Sequence, residues 1–171
     1  MTTAPMATIV GIVPAVKPAG YAAVNPFIIT ANANDVLRFV CQVFGGEERM
    51  EVRTVDDDGQ LVHSEVVLGD TTIVFADRKP GWPFTPSLLQ VWVDDVDATL
   101  DTARELGAIV VSEPTDFYGD TFSRFLDPWR NLWWVYRHDE SVPTVPKRQP
   151  AEITAFSKAM LTSLDPLSDG A

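Results

Sequence analysis

Asp94-Asp95-Val96-Asp97-Ala98, running on to Leu106-Gly107-Ala108, decides the fold, because the chain has already used the same pattern once. Asn32-Ala33-Asn34-Asp35-Val36 opens the earlier copy and Phe44-Gly45-Gly46 closes it. Asn32 and Asp94, Phe44 and Leu106, and Gly45 and Gly107 are each 62 residues apart. Each copy follows an apolar run of strand character and keeps a helical pattern until glycine stops it. Two copies of one strand–helix unit argue for paired modules and against a solenoid, which needs three or more. Paired modules imply two half-sites, expected to face one cleft.

Outward from these helices, Asn25 to Thr30 predicts a strand. Asp35 is the expected cap of a helix through Phe44, with Val36, Phe39, Val40 and Val43 on its apolar stripe. Strands follow over 48–55, 61–68 and 71–76, separated by turns at Asp56-Asp57-Asp58-Gly59 and Gly69-Asp70. After the proline-stiffened stretch Lys79 to Pro86, the order repeats: strand 88–93, helix 97–106, then strands 108–112, 121–126 and 132–137. The last two are joined by a turn at Asp127-Pro128-Trp129-Arg130-Asn131. The fold class is therefore α+β: two tandem βαβββ modules, 24–79 and 86–138, joined by a linker at 80–85 and forming a curved mixed sheet around a cleft. An N-terminal arm covers 1–23. A C-terminal extension covers 139–171, with a helix over 150–164 read from the stripe Ile153, Phe156, Met160, Leu161 and Leu164.

Bulk properties exclude some partners. The net charge of −11 disfavours nucleic acid and anionic membranes, which are held by clustered Lys and Arg. No apolar run approaches the roughly 20 residues of a membrane span, and Met1 to Gly20 lacks the shape of a secretory signal. The single cysteine, Cys41, excludes an internal disulfide and suits a cytoplasmic location. It falls within the first helix, as a structural thiol rather than a nucleophile.

Several words in order then carry a resemblance: Phe44-Gly45-Gly46, His63-Ser64-Glu65, Val93-Asp94-Asp95-Val96-Asp97-Ala98, Glu113-Pro114-Thr115-Asp116, Tyr118-Gly119-Asp120 and Asp127-Pro128-Trp129-Arg130-Asn131-Leu132-Trp133-Trp134. Over residues 24–138 the chain resembles the glyoxalase / bleomycin-resistance / extradiol-dioxygenase (vicinal oxygen chelate) superfamily, and within it the PhnB-like branch. One departure is Arg130, where the usual pattern has Gly. The resemblance implies two sheets curling around a cleft, and commonly a homodimer. It also implies His or Glu on the first and last strand of each half in metal-using relatives. Those positions fall here on Asn25, Leu88, Trp134 and, near the repeat mate, Ile73. Amide, aliphatic and indole side chains do not make a divalent-cation site, so no metal and no cofactor is expected.

Strand alternation, anchored on those positions, gives the expected cleft lining. Asn25, Phe27 and Ile29 come from the first strand, Leu88, Gln90 and Trp92 from the fifth, and Trp134 and Tyr136 from the last. Leu61, His63, Glu65 and Val67 are assigned to the cleft and Val62, Val66 and Leu68 to the helices; a spacing of 59 matches His63 and Glu65 with Phe122 and Arg124. His63 and Glu65 invite two readings: a general base with its orienting carboxylate, or a structural hydrogen-bond knot with a cation such as Arg124. The acidic runs at 56–58 and 94–97 read as turn and cap carboxylates. Three functions follow: sequestration of a small aromatic or cationic molecule without metal, a cofactor-independent lyase or isomerase using His63 and Glu65, or a structural dimer without ligand.

Overall fold

The computed structural model describes residues 17–117, 119–141 and 157–158. In chain order the elements are β1 (Phe27–Thr30), α1 (Ala33–Phe44), β2 (Glu47–Glu48), a 3-10 turn (Met50–Val52), β3 (Thr54–Val55), β4 (Leu61–Leu68), β5 (Thr71–Asp77), β6 (Leu88–Trp92), α2 (Val96–Glu105), β7 (Ile109–Phe117), β8 (Asp120–Leu126) and β9 (Leu132–His138). The duplicated strand–helix frame is present. Its C-terminal addition is not described, apart from Ser157 and Lys158, both helical; the rest of the expected helix over 150–164 lies outside the described residues.

Both helices form where the apolar stripe can be buried. Val36, Leu37, Phe39, Val40 and Val43 do so in α1, and Val96, Thr99, Leu100 and Ala103 in α2. Their starts differ. Asp95 caps α2 by accepting the Ala98 N–H at 3.0 Å. In α1 the cap is Asn32, in a left-handed conformation without a side-chain bond, and Asp77 at the end of β5 accepts the Ala33 N–H at 2.8 Å. Asp35 is not the cap: it sits in the first turn, paired with Arg38. Because α1 has 12 residues and α2 has 10, the repeat spacing falls from 63 at the first helical residues, Ala33 and Val96, to 61 at the last, Phe44 and Glu105, and the extra Leu106 before Gly107 restores 62 at the glycines.

The first sheet runs β1-β5-β4-β2, with β3 also on β4; the second runs β6-β9-β8-β7. β1 is parallel to β5 and β6 to β9, and the other pairings are antiparallel. The strand expected over 48–55 is interrupted, since Glu47–Val55 buries no side chain and the 3-10 turn bulges out between its halves. β7 is longer than expected and tolerates Pro114 because it is an edge strand with two register shifts. Arg130 keeps the left-handed backbone that glycine would supply, with φ of 72°. Asp127 holds that turn: its buried carboxylate accepts from the N–H groups of Trp129 and Asn131, the Asn131 amide and the Trp133 indole, at 2.8–3.0 Å.

One core joins the modules. Ile28, Ile73, Phe75 and Val66 of the first sheet and Val91, Trp133, Val135 and Phe125 of the second join the buried residues of both helices in a single cluster. The α1 rings cross to the second sheet: Phe39 lies 6.0 Å from Phe125, and Phe44 lies 5.1 Å from Trp133 and 6.2 Å from Phe125. Residues of α1 therefore pack on the helix-covered face of the second sheet. α1 thus packs on strands of both sheets, while α2 packs on the second sheet and on α1, and side chains of the opposite parity lie on the faces that the helices leave uncovered.

Gly46 marks the tightest approach of backbone to this core. A Cβ there would stand 2.5 Å from Cγ1 of the buried, β-branched Val66 and 3.4 Å from the Val67 carbonyl oxygen. Gly46→Ala is expected to destabilise the protein by about 1–3 kcal/mol in urea unfolding, whereas Gly59→Ala, with open space around it, is expected to lose only the left-handed turn preference, about 1 kcal/mol.

Candidate functional site

Register fixes the outer faces row by row. On the first sheet, Phe27 pairs with Val74 and Val74 with Glu65. On the second, Gln90 pairs with Trp134 and Trp134 with Arg124. The expected match of Glu65 with Arg124 and of His63 with Phe122 thus coincides with the strand pairing. The mate of Trp134 is Val74, however, not Ile73, which turns into the core. Leu61 and Val62 also exchange the roles expected of them. Between the Thr54–His63 and Val55–Leu61 pairs β4 carries one extra residue, Val62, and this bulge turns Leu61 into the core and leaves Val62 exposed.

The candidate residues fall into two groups on two separate faces. His63 and Glu65 lie on the first sheet with Phe27, which is 53% exposed. Glu65 is 3% exposed and fully engaged. Both its oxygens receive the Tyr21 hydroxyl at 2.7 Å; Oε1 contacts His63 Nε2 at 3.0 Å, and Oε2 accepts from Arg49 Nη1 at 3.3 Å. Burial pushes this carboxyl up. The hydrogen bonds from Tyr21 and His63, with the charges of His63 and Arg49, outweigh that and hold it below its ordinary value. The knot anticipated for Glu65 exists, but its cation is Arg49, from the loop after β2, and not Arg124. Tyr21 was missed because an isolated tyrosine in an arm carries no periodic signal. Asn25 does not line this face freely either: its amide bonds the backbone of Ala22, at 3.2 and 3.0 Å.

The second face is a rack of rings around a buried cation. The Arg124 guanidinium sits 4.4 Å from the Trp134 ring centre and 4.9 Å from that of Phe122. Phe122 stacks on Tyr136 at 5.4 Å, and Trp92 tilts against Tyr136 at 5.4 Å. Arg124 is fully buried; burial lowers its affinity for a proton and Tyr136 partly offsets that. It stays charged at neutral pH. Trp92, by contrast, is 56% exposed, as are Leu88 at 51% and Gln90 beside it. A hollow of ≈ 410 Å³ opens next to Trp92, bounded also by Val93, Asp94, Arg137, His138 and Glu140. His138, the last residue of β9, places its Nδ1 2.6 Å from Oδ1 of Asp120 at the start of β8.

A divalent ion does not fit the positions that the resemblance points to. Asn25, Leu88, Trp134 and Val74 offer one amide oxygen, already bonded, and no imidazole, carboxylate or thiolate. Among the described residues no three His, Cys, Asp or Glu side chains gather into a metal-binding group. Burial, and after it Glu48, raises the Cys41 thiol, which leaves it a poor nucleophile.

Residues 20–135 match the model of the Glyoxalase/Bleomycin resistance protein/Dioxygenase superfamily. An uncharacterized protein of Mycobacterium bovis is 28% identical over 123 residues, covering 65% of this chain and 80% of that one. Among solved structures, a glyoxalase/bleomycin resistance protein/dioxygenase family enzyme from Burkholderia phytofirmans superposes with a TM-score of 0.53 at 23% identity, covering 66% of this chain and 94% of the other. The genomically encoded fosfomycin resistance protein of Listeria monocytogenes, solved with Mn(II) and sulfate, gives 0.51 at 14% identity, covering 70% and 93%. Similarities this low show the shared fold.

The Glu65 knot sets a pH signature. A carboxyl whose folded pKa is depressed adds stability above its unfolded value, near 4.3, and loses it as pH falls through the folded value. Glu65→Gln is expected to lower stability at pH 7 by about 1–2 kcal/mol. The gap between variant and wild type should close in denaturant titrations carried from pH 5 downward; a gap independent of pH would contradict the depressed carboxyl.

Proposed function

Because the chain belongs to the glyoxalase/bleomycin resistance protein/dioxygenase superfamily, we propose that it binds a small planar aromatic molecule, without metal, in a cleft that two copies complete. The observation that carries this is the ring rack of the second sheet. Trp92 offers an apolar face at the surface with exposed Gln90 on the same strand, and behind Trp92 the buried Tyr136 and Phe122 rings back it, with Arg124 and Trp134 beyond. Apolar walls with few polar groups are the usual make-up of a small-molecule site. A cationic ligand is disfavoured on this face, because the rings of Trp134 and Phe122 already hold the Arg124 guanidinium.

The helix-covered faces of the two sheets share one core, so a cleft lined by both uncovered faces is built here from two copies. The edges support that arrangement. β1 and β6 are both sheet edges, and each shows a large apolar side chain to solvent, Phe27 and Leu88. The face bearing Phe27, His63 and Glu65 of one copy would then oppose the face bearing Gln90, Trp92, Phe122, Arg124, Trp134 and Tyr136 of the other. The body over 24–138 is the working unit of this proposal, as a PhnB-like homodimer in the cytoplasm. In the His63/Glu65 acid–base alternative Glu65 would orient His63, but Tyr21 and Arg49 hold the same carboxylate, as in a structural knot, which supports that plainer reading.

Titrating a panel of planar aromatic compounds against tryptophan fluorescence is expected to quench wild type saturably, and Trp92→Ala to weaken binding at least about ten-fold, the scale of one lost stacking partner. No saturable quenching by any compound would leave a dimer without ligand. In sedimentation velocity, Leu88→Asp is expected to shift the protein toward monomer; an unchanged coefficient at the dimer value would remove the β1–β6 edges from the interface.

A further inference from the structure

We propose that the outer face of the first sheet is a binding site for a hydroxyl-bearing planar ring, a phenol or close analogue, in which Tyr21 stands as a built-in occupant that the free ligand displaces. This rests on the small-molecule role proposed above and names the ligand class of its first half-site.

The site is built from groups that a phenol needs. Glu65, almost wholly buried, directs both carboxylate oxygens at one hydroxyl, each 2.7 Å away. A phenol has a single proton to give, and a symmetric carboxylate accepts it from either oxygen. Arg49 places its guanidinium 4.9 Å from the Tyr21 ring centre, so the ring face meets a cation while the ring edge meets an anion. The same guanidinium reaches Glu65 at 3.3 Å, so the charge pair is preformed around the ring. His63 braces Glu65 from the other side. An aliphatic alcohol could use the carboxylate but not the guanidinium; a bare ring could use the guanidinium but not the carboxylate. Only a hydroxylated ring uses both.

The occupant is held by little else. Residues 17–24 take no part in either sheet. Besides the Tyr21 side chain, this stretch bonds the sheet face through the Gly20 carbonyl, which accepts from Thr72 Oγ1 and Arg49 Nη2, both at 3.2 Å. A side chain on so short a tether competes at an effective concentration of roughly millimolar. A free ligand therefore binds with its affinity reduced by the fraction of time that Tyr21 is in place.

The probe is 4-methylphenol, the side chain of tyrosine cut free, with toluene as the ring that lacks the hydroxyl. Isothermal calorimetry on full-length protein would compare wild type, Tyr21→Ala, and Tyr21→Ala combined with Glu65→Gln. Amide chemical shifts would locate the bound ring. Tyr21→Ala is expected to bind 4-methylphenol at least about ten-fold tighter than wild type, with shifts at Arg49 and Thr72. Toluene should gain nothing, and Glu65→Gln should abolish the gain. Equal gain for toluene, no gain for 4-methylphenol, or shifts confined to Trp92 would each overturn the proposal. Quenching at Trp92 with no effect of Tyr21→Ala would sink this site and leave the ring rack standing. A Tyr21-dependent gain with no ligand at Trp92 would do the reverse.

Discussion

Phe44 of α1, set against Phe125 and Trp133 of the other module, is the contact on which the rest of the architecture depends. An isolated βαβββ unit can cover one face of its sheet with its own helix. Here α1 serves both sheets at once, so neither module has a separate core. Apolar burial of this kind is the dominant favourable term in folding. It also dictates where function can lie. With the inner faces committed to the shared core, the polar residues of the two sheets are left to the outer faces.

Those outer faces are related by duplication but have been given opposite chemistry. Glu65 and Arg124 occupy equivalent places, each two strands in from the parallel edge, and each is removed from water. A buried charge is costly unless it is compensated. Glu65 is compensated by donors: a hydroxyl, an imidazole and a guanidinium. Arg124 is compensated in large part by ring faces, whose quadrupoles attract a cation. The first solution closes the face with hydrogen bonds and the second leaves aromatic surface beside it. One ancestral frame thus carries two unlike half-sites.

The helices and most strands were legible because apolar periodicity and glycine stops depend on neighbours in sequence. Strand parity correctly separated Ile28, Val91, Trp133 and Val135 from Glu65, Arg124 and Trp134. It failed at Leu61 and Val62, where a bulge in β4 itself, with Val62 as the extra residue, reverses which side is inside. The strand across 48–55 failed for a different reason. Its β-prone residues have no buried face to alternate against, and the charges of Glu48, Arg49 and Arg53 are spent on bonds to Ser64, Glu65, Glu48 and Asn34. The site was partly legible. Residue types and row matching could be read, but the identity of the cation beside Glu65 could not, because Arg49 and Tyr21 reach it from segments with no period. The direction in which each sheet faces depends on aromatic packing between modules, which no local pattern encodes.

Asp127 offers a last consequence. Four donors converge on its carboxylate, and together they hold a backbone shape that would otherwise call for glycine at position 130. A side-chain clamp of this kind offsets the cost of a left-handed residue at the apex, which is how arginine can stand there. Removing the aspartate would therefore expose that cost as well as orphan the indole donor six residues on.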